Sequence, residues 1–268
     1  MAEEDDWELL APFLGLRPLD PHAKRLRAHV EEDIKRGGRH LPRRADALSR
    51  DQIVRAAIAV ADAEGAEAVS MRRIARELNA GTMSLYWHIG SKEELLDLMI
   101  DEVQGQTQLP GPSGDWRTDL RELACNTRAA LHRHRWMVDF MGGRPPMGPK
   151  SLQNLEGALA ALDGLGLGAG EAIAIVMTVA TYVLGAVLRE VQEIKGEAYQ
   201  DMELAGLSDA ERMAVVRDFA ERVRATGRYP HLATLIDSGV DPDSPQTRQA
   251  RFEFGLDCLL DGIAARLG

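Results

Sequence analysis

Between Arg72 and Lys92 this 268-residue chain concentrates side chains able to meet a nucleic acid. Thr82, Met83, Ser84, Tyr86, Trp87 and His88 crowd one short stretch, and Lys92 follows a turn later. Hydroxyl, imidazole and ammonium donors suit phosphate oxygens, which position a protein but carry no sequence information. Ser84, Tyr86, His88 and Lys92 are therefore assigned to phosphates. Base edges reward compact groups: Thr can hydrogen-bond or offer a methyl, and Met can pack on a thymine methyl. Thr82 and Met83 are assigned to that task. So polar a run makes a poor core helix. Trp87 has a second reading as the hydrophobic knob joining two helices, and His88 as an ordinary surface histidine.

The flanking elements must position these groups. Ser49-x-x-Gln52 is a capping box that opens a helix. Ile53, Ala56, Ala57, Val60 and Ala61 recur at helical spacing as one buried stripe, and Gly65 closes the helix. Ile74, Ala75 and Leu78 give the next short helix an apolar face, and Asn79-Ala80-Gly81 breaks it with a tight turn. The polar helix over 82–88 follows. Ser91-x-x-Glu94 is a second capping box, and it opens a helix carrying Leu95, Leu96, Met99, Ile100 and Val103 inward. Helix, turn, short polar helix is the signature of a helix-turn-helix reader that enters the major groove.

The run 85–97, Leu-Tyr-Trp-His-Ile-Gly-Ser-Lys-Glu-Glu-Leu-Leu-Asp, together with Met71-Arg-Arg-Ile-Ala-Arg-Glu-Leu78, resembles the TetR family of transcriptional repressors. The likeness is greatest to the branch of the tetracycline repressors. It continues at Trp116, at 142–145 (Gly-Gly-Arg-Pro), at 182–188 and at 252–256, and it does not extend to residues 1–48. The resemblance implies an all-α fold: a three-helix DNA-binding domain with its connecting helix over 49–104, then a larger ligand-binding and dimerisation domain over 105–268. It also implies that Arg72 reaches a guanine, that Trp87 lies near the DNA backbone, and that the protein binds a palindromic double-stranded operator as a homodimer. A small-molecule effector would release it. By position, Gln108, Leu123, Thr127, Phe140, Arg144 and Met177 are implied to line the effector pocket.

One departure narrows the effector. Where tetracycline repressors present a metal-ligating His just before Gly-x-Arg-Pro, this chain has Phe140-Met141. Mg²⁺ needs hard donors, and neither side chain supplies one. No metal or other cofactor is expected, and the effector is expected to be apolar or aromatic. His132-x-His134 does not restore a site, because i, i+2 positions face different sides of a helix.

Composition agrees with a helical regulator. The net charge of −10 conceals a division. Residues 1–20 and 51–104 are acidic, whereas 21–50 hold Lys24, Arg25, Arg27, Lys35, Arg36, Arg39, Arg43, Arg44 and Arg50. This basic run abuts a DNA reader, and its part over 39–50 reads as a phosphate-binding or minor-groove arm, since non-specific affinity comes mainly from phosphate neutralisation. Its bland alternative is a solvated face. Residues 1–48 form an extension in which Ala23, Leu26, Val30 and Ile34 make a thin stripe. Trp7, Leu9, Leu10, Phe13 and Leu14 precede it in an acidic stretch. A partly ordered tail and an extra contact surface both fit. Cys125 and Cys258 are far apart and lack CxxC spacing, which reads as buried reduced thiols in a cytoplasmic protein without a signal peptide.

Further helices are expected over 116–135, 152–162 (stopped by Gly164), 171–195 (stopped by Gly196), 208–225, 229–236 and 248–267. The segment 172–188 is uncharged and just at the short limit for a membrane span. A buried bundle helix is the preferred reading. Paired with 252–260 across a two-fold axis it would form a four-helix dimer interface. Gly185, Ala180 and Ala186 would allow close approach there, with Phe254 and Leu256 near the seam. Two rivals remain. An enzyme lacks support, because no phosphate loop, nucleophile elbow or His pair at i, i+4 occurs. A DNA-binding dimer without a small-molecule ligand, controlled by a protein partner, is the alternative.

Overall fold

The computed structural model describes residues 48–107, 111–140, 148–203, 208–241 and 244–267. The expected N-terminal helix, nearly all of the basic arm, Gln108 and Arg144 lie outside the described residues. All described elements are helices: α1 (Arg50–Glu64), α2 (Met71–Glu77), α3 (Thr82–Tyr86), α4 (Lys92–Gln104), α5 (Trp116–Arg133), α6 (Pro149–Ala160), α7 (Ala169–Glu203), α8 (Asp209–Thr226), α9 (Pro230–Asp237) and α10 (Pro245–Leu267), with short 3₁₀ turns at Ala66–Ala68, Gly105–Thr107 and Arg135–Asp139. No strand occurs among them, as the all-α expectation requires.

Contacts divide the chain into two compact units, one ending at Leu184 and the other starting at Gly185. In the first, the Ser49 capping box forms in full: the Ser49 hydroxyl accepts from Gln52 N–H at 3.2 Å, and Gln52 Oε1 accepts from Ser49 N–H at 2.9 Å. Gly65 closes α1 at φ +87°, a conformation that favours glycine. Ile53, Ala57 and Val60 of α1 are buried in the same core as Ile74, Leu85, Leu95 and Met99. Further along, Leu120, Ala124, Leu131, Trp136, Met137, Ala158 and Leu162 are buried.

α4 is tied to α6 by polar contacts rather than by packing alone. Asp101, only 8% exposed, sits on α4 and caps the start of α6. Its Oδ1 accepts from both the N–H and the hydroxyl of Ser151 at 3.0 Å. One turn on, Asn154 Nδ2 donates to the carbonyl of Gln104 and to Thr107 Oγ1, each at 2.6 Å. The Lys150 ammonium meets Glu102 at 2.5 Å. Four orphan N–H groups begin every helix, and a carboxylate from a different helix here satisfies some of them. Burial nevertheless pushes the Asp101 carboxyl above its ordinary range, although Ser151 and Lys150 pull the other way.

In the second unit, Val187 and Val191 of α7 and Phe252, Leu256, Leu260 and Ile263 of α10 are buried. Arg251 pairs with Glu193 at 2.7 Å and Arg248 with Glu197 at 2.6 Å. Burial raises the Glu193 carboxyl, but hydrogen bonds from Arg189 and Arg251 outweigh it and hold the group below its ordinary range. α8 opens on the Ser208/Glu211 capping box and ends at Gly227, φ +61°.

Four expectations change. Cys125 and Cys258, expected to be buried, are both exposed. α7 does not stop at Gly196 but runs to Glu203. Glycine costs a helix only about 1 kcal/mol, and the α7–α10 ion pairs at Glu193 and Glu197 bracket it. α10 starts at Pro245, earlier than expected, since proline suits the first turn. Leu256 is fully buried within its own chain, so of the two seam residues only Phe254, 72% exposed, remains open to a partner. The apolar stretch of α7 within Ala169–Glu197 is long enough to cross a membrane by length and composition, yet only 22% of it is buried in this single chain.

Two outcomes follow for the α4–α6 tie. A Cβ on Gly148 would lie 2.1 Å from Asp101 Cγ. Gly148→Ala should therefore destabilise the fold by about 1–3 kcal/mol, read as a lower urea midpoint with unchanged slope. The folded Asp101 holds its proton more tightly than the unfolded chain, whose value is 3.8. Its contribution to stability thus falls as pH rises from there, until the folded group has also ionised. Asp101→Asn should remove that decline in unfolding curves measured at stepped pH.

Candidate nucleic-acid interface

The reader is built on α2 and α3. Ser70 caps α2, accepting from Arg73 N–H at 3.2 Å. The break that follows turns on Asn79, at φ +50°, rather than on Gly81, whose φ is −74°. Asparagine tolerates the left-handed region better than most residues. Ala80 N–H closes the turn onto the Ala75 carbonyl at 2.8 Å. Gly81 then precedes α3, which ends at Tyr86 rather than at His88.

Within α3 a division of labour is visible. Leu85 is fully buried and Ile89 is 1% exposed, and these two anchor the segment to the core. Trp87 is 87% exposed, so it is not the knob that one sequence reading allowed. An i, i+4 pair, Leu85 and Ile89, takes that role, which turns Trp87 to the opposite face. Met83 is 72% and Tyr86 45% exposed. Ser84 and His88 are exposed, and Thr82 and Lys92 are half-buried. Five large or polar side chains thus share an outward surface that the fold does not need.

Neighbouring arginines have different fates. Arg73 is held by Glu64 of α1 at 2.7 Å and by Glu77 at 2.6 Å. The Glu64 hydrogen bond, then that of Glu77, raises the Arg73 guanidinium above its ordinary value. Arg72 is exposed and has no ion-pair partner among the described residues. Positioning continues at α4, where Ser91 Oγ accepts from Glu94 N–H at 3.1 Å. Glu94 does not complete the expected capping box. It accepts instead from Gly90 N–H at 2.8 Å and from Arg50 at 3.2 Å, which pins the loop after α3 to the start of α1.

The pocket residues are less unified. Leu123 and Thr127 are half-buried, one turn apart on α5. Phe140 is half-buried and stacks edge-on against Trp136, with centroids 6.3 Å apart. Met177 is 47% exposed on α7. No cluster of three or more potential metal ligands occurs among the described residues. Sequence reasoning dismissed His134 once metal was set aside, yet His134 is 4% exposed and hydrogen-bonded to Asp62 of α1. No local pattern signals that pair, because its members are 72 residues apart.

A short α-helical reader with an anchored inner face and an exposed donor-rich outer face, joined to a longer helical region, defines a one-component DNA-binding regulator. Residues 53–99 match the bacterial regulatory proteins of the tetR family, and residues 109–267 match the tetracyclin repressor-like C-terminal domain. The chain is 38% identical over 218 residues to the HTH-type transcriptional repressor DrrR1 of Streptomyces coeruleorubidus, covering 81% of this chain and 77% of that one. It is 28% identical to the class A tetracycline repressor from transposon 1721 of Escherichia coli, covering 82% and 92%. Among solved structures, the TetR family protein ActR of Streptomyces coelicolor in complex with actinorhodin aligns at TM-score 0.61 and 28% identity, covering 83% of this chain and 99% of that one. The chain belongs to the TetR family of transcriptional regulators. It is accordingly a regulator and not an enzyme.

The burial pattern separates two substitutions. Leu85→Ala should cost about 2–5 kcal/mol of stability, because it empties a fully buried site. Trp87→Ala should leave the thermal midpoint nearly unchanged while weakening DNA binding. Paired melting and gel-shift measurements check both.

Proposed function

We propose that this protein is a homodimeric, effector-responsive repressor acting on a palindromic operator in the cytoplasm. The observation that carries the reading is an exposed Arg72, without an ion pair among the described residues, beside the outward surface of Met83, Ser84, Tyr86, Trp87 and His88. Arg72 offers the fork that matches guanine O6 and N7. Thr82 and Met83 address base edges. Ser84, Tyr86, Trp87, His88 and Lys92 hold the backbone, and the basic run over 39–50 adds phosphate contacts. Two such readers must stand about 34–36 Å apart to fit successive major grooves.

Dimerisation supplies that spacing. Leu188 and Phe254 leave large apolar surface exposed in the single chain, and Gly185 has open space beside it. A second copy would cover this face. The effector is apolar or aromatic and binds without metal. Phe140 stands where a metal-binding His would be needed, and the similar ActR forms complexes with actinorhodin and with (S)-DNPA. Gln108, Leu123, Thr127, Phe140, Arg144 and Met177 are the proposed lining. Release requires only that the effector prefer a dimer of the wrong spacing.

Selection of DNA from a random pool tests the reading. The wild type should recover two inverted half-sites and sediment as a dimer at micromolar concentration. Arg72→Ala should relax choice at one position per half-site, losing about 1–3 kcal/mol of discrimination. Tyr86→Phe and Lys92→Ala should weaken all duplexes alike. Unrelated sequences from the pool, or a wild-type monomer, would overturn the proposal.

A further inference from the structure

Asp62 lies on the last turns of α1, and its contacts reach far along the chain. Its Oδ1 accepts from Trp136 Nε1 at 2.8 Å. His134 Nδ1 lies 2.8 Å from the same oxygen and 3.1 Å from Oδ2. The opposite ring nitrogen of His134 lies 3.3 Å from Gln106 Oε1, which also accepts from Arg133 at 3.0 Å. His134 and Trp136 are each 4% exposed. One carboxylate therefore gathers two buried ring N–H groups that begin the turn Arg135–Asp139. Trp136 is in edge-to-face contact with Phe140 at 6.3 Å and 69° and with His134 at 6.4 Å and 66°. A continuous path of contact thus runs from Phe140, through Trp136, to the helix whose Ile53, Ala57 and Val60 belong to the reader's core.

From this geometry we infer that Asp62 is a positioning residue that couples the effector-side segment ending at Phe140 to the DNA reader. The inference rests on the repressor reading above. A group that displaces Phe140 moves Trp136, and the indole N–H can follow only by dragging Asp62 or by losing its acceptor. Leaving a buried N–H without a partner is costly, so movement of α1 is the favoured response. Linkage works in both directions. DNA that fixes α1 must therefore steady the turn that holds Trp136. Glu64, two residues on, is engaged by Arg73 of α2, so α1 carries the restraint into the reader itself.

Hydrogen exchange tests this without an effector, using the full-length dimer and the duplex it selects from a random pool. The amides of Met137 and Phe140 bond to the carbonyls of His134 and Met137, so their exchange reports opening of the turn. In the wild type the duplex should slow both at least about fivefold, the low end of allosteric coupling. In Asp62→Ala and in Trp136→Phe the duplex should still protect residues 71–88, while slowing at 137 and 140 falls below about twofold. Protection over 71–88 shows that each variant is folded and bound. Equal slowing at 137 and 140 in both variants, or none in the wild type, would overturn the coupling role. Failure of the duplex to protect 71–88 in the wild type would overturn the repressor reading, and the coupling role with it.

Discussion

A regulator of this kind works only if its DNA reader cannot drift relative to the helices beside it, and here two carboxylates impose that constraint, one buried (Asp101) and one exposed but bonded to buried ring nitrogens (Asp62). Asp101 spans α4 and α6, and Asp62 spans α1 and the turn after α5. Neither could be replaced by an apolar contact of equal effect. Apolar packing has no preferred direction, so helices can slide while keeping their buried area. A carboxylate capping a helix N-terminus, or gathering two ring N–H groups, has one satisfactory arrangement, and departure from it strands donors in a dry environment. The uphill shift of the Asp101 carboxyl records the desolvation cost of that directional restraint.

Much of the DNA-binding region was legible in the residues. The capping box at Ser49, the apolar stripe of α1, the break near Asn79 and the donor-rich α3 are local, and local patterns can be read from spacing. What could not be read was long-range. Asp62 and His134 are 72 positions apart, and Asp101 and Ser151 are 50. No propensity or periodicity reports such pairs. The second reading of Trp87, as a buried knob, failed for a related reason. Size and apolarity favoured burial, but Leu85 and Ile89 already fill the inner face of a very short helix, and no room remains there for an indole. Gly196 likewise looked like a stop until contacts from α10 on either side were in view.

The effector region was the least legible part, and the reason is physical. A pocket for an apolar molecule is lined by the same residue types that fill a core, so composition cannot separate lining from filling. Phe140 is the exception. Its ring rests edge-on against Trp136, so its place is marked by a specific contact rather than by composition.

The surface of α3 has a consequence for how such proteins change over time. Only Leu85 within that helix and Ile89 just beyond it are committed to folding, while Met83, Tyr86 and Trp87 stand clear of the core. Drift at the outward positions can thus alter the surface that this helix presents without eroding the scaffold. Arg73, bound on both sides by glutamates, is tied to the scaffold, whereas its exposed neighbour Arg72 has no such ion pair among the described residues. Gene duplication would then let copies of such a regulator diverge on this one face while sharing the same fold.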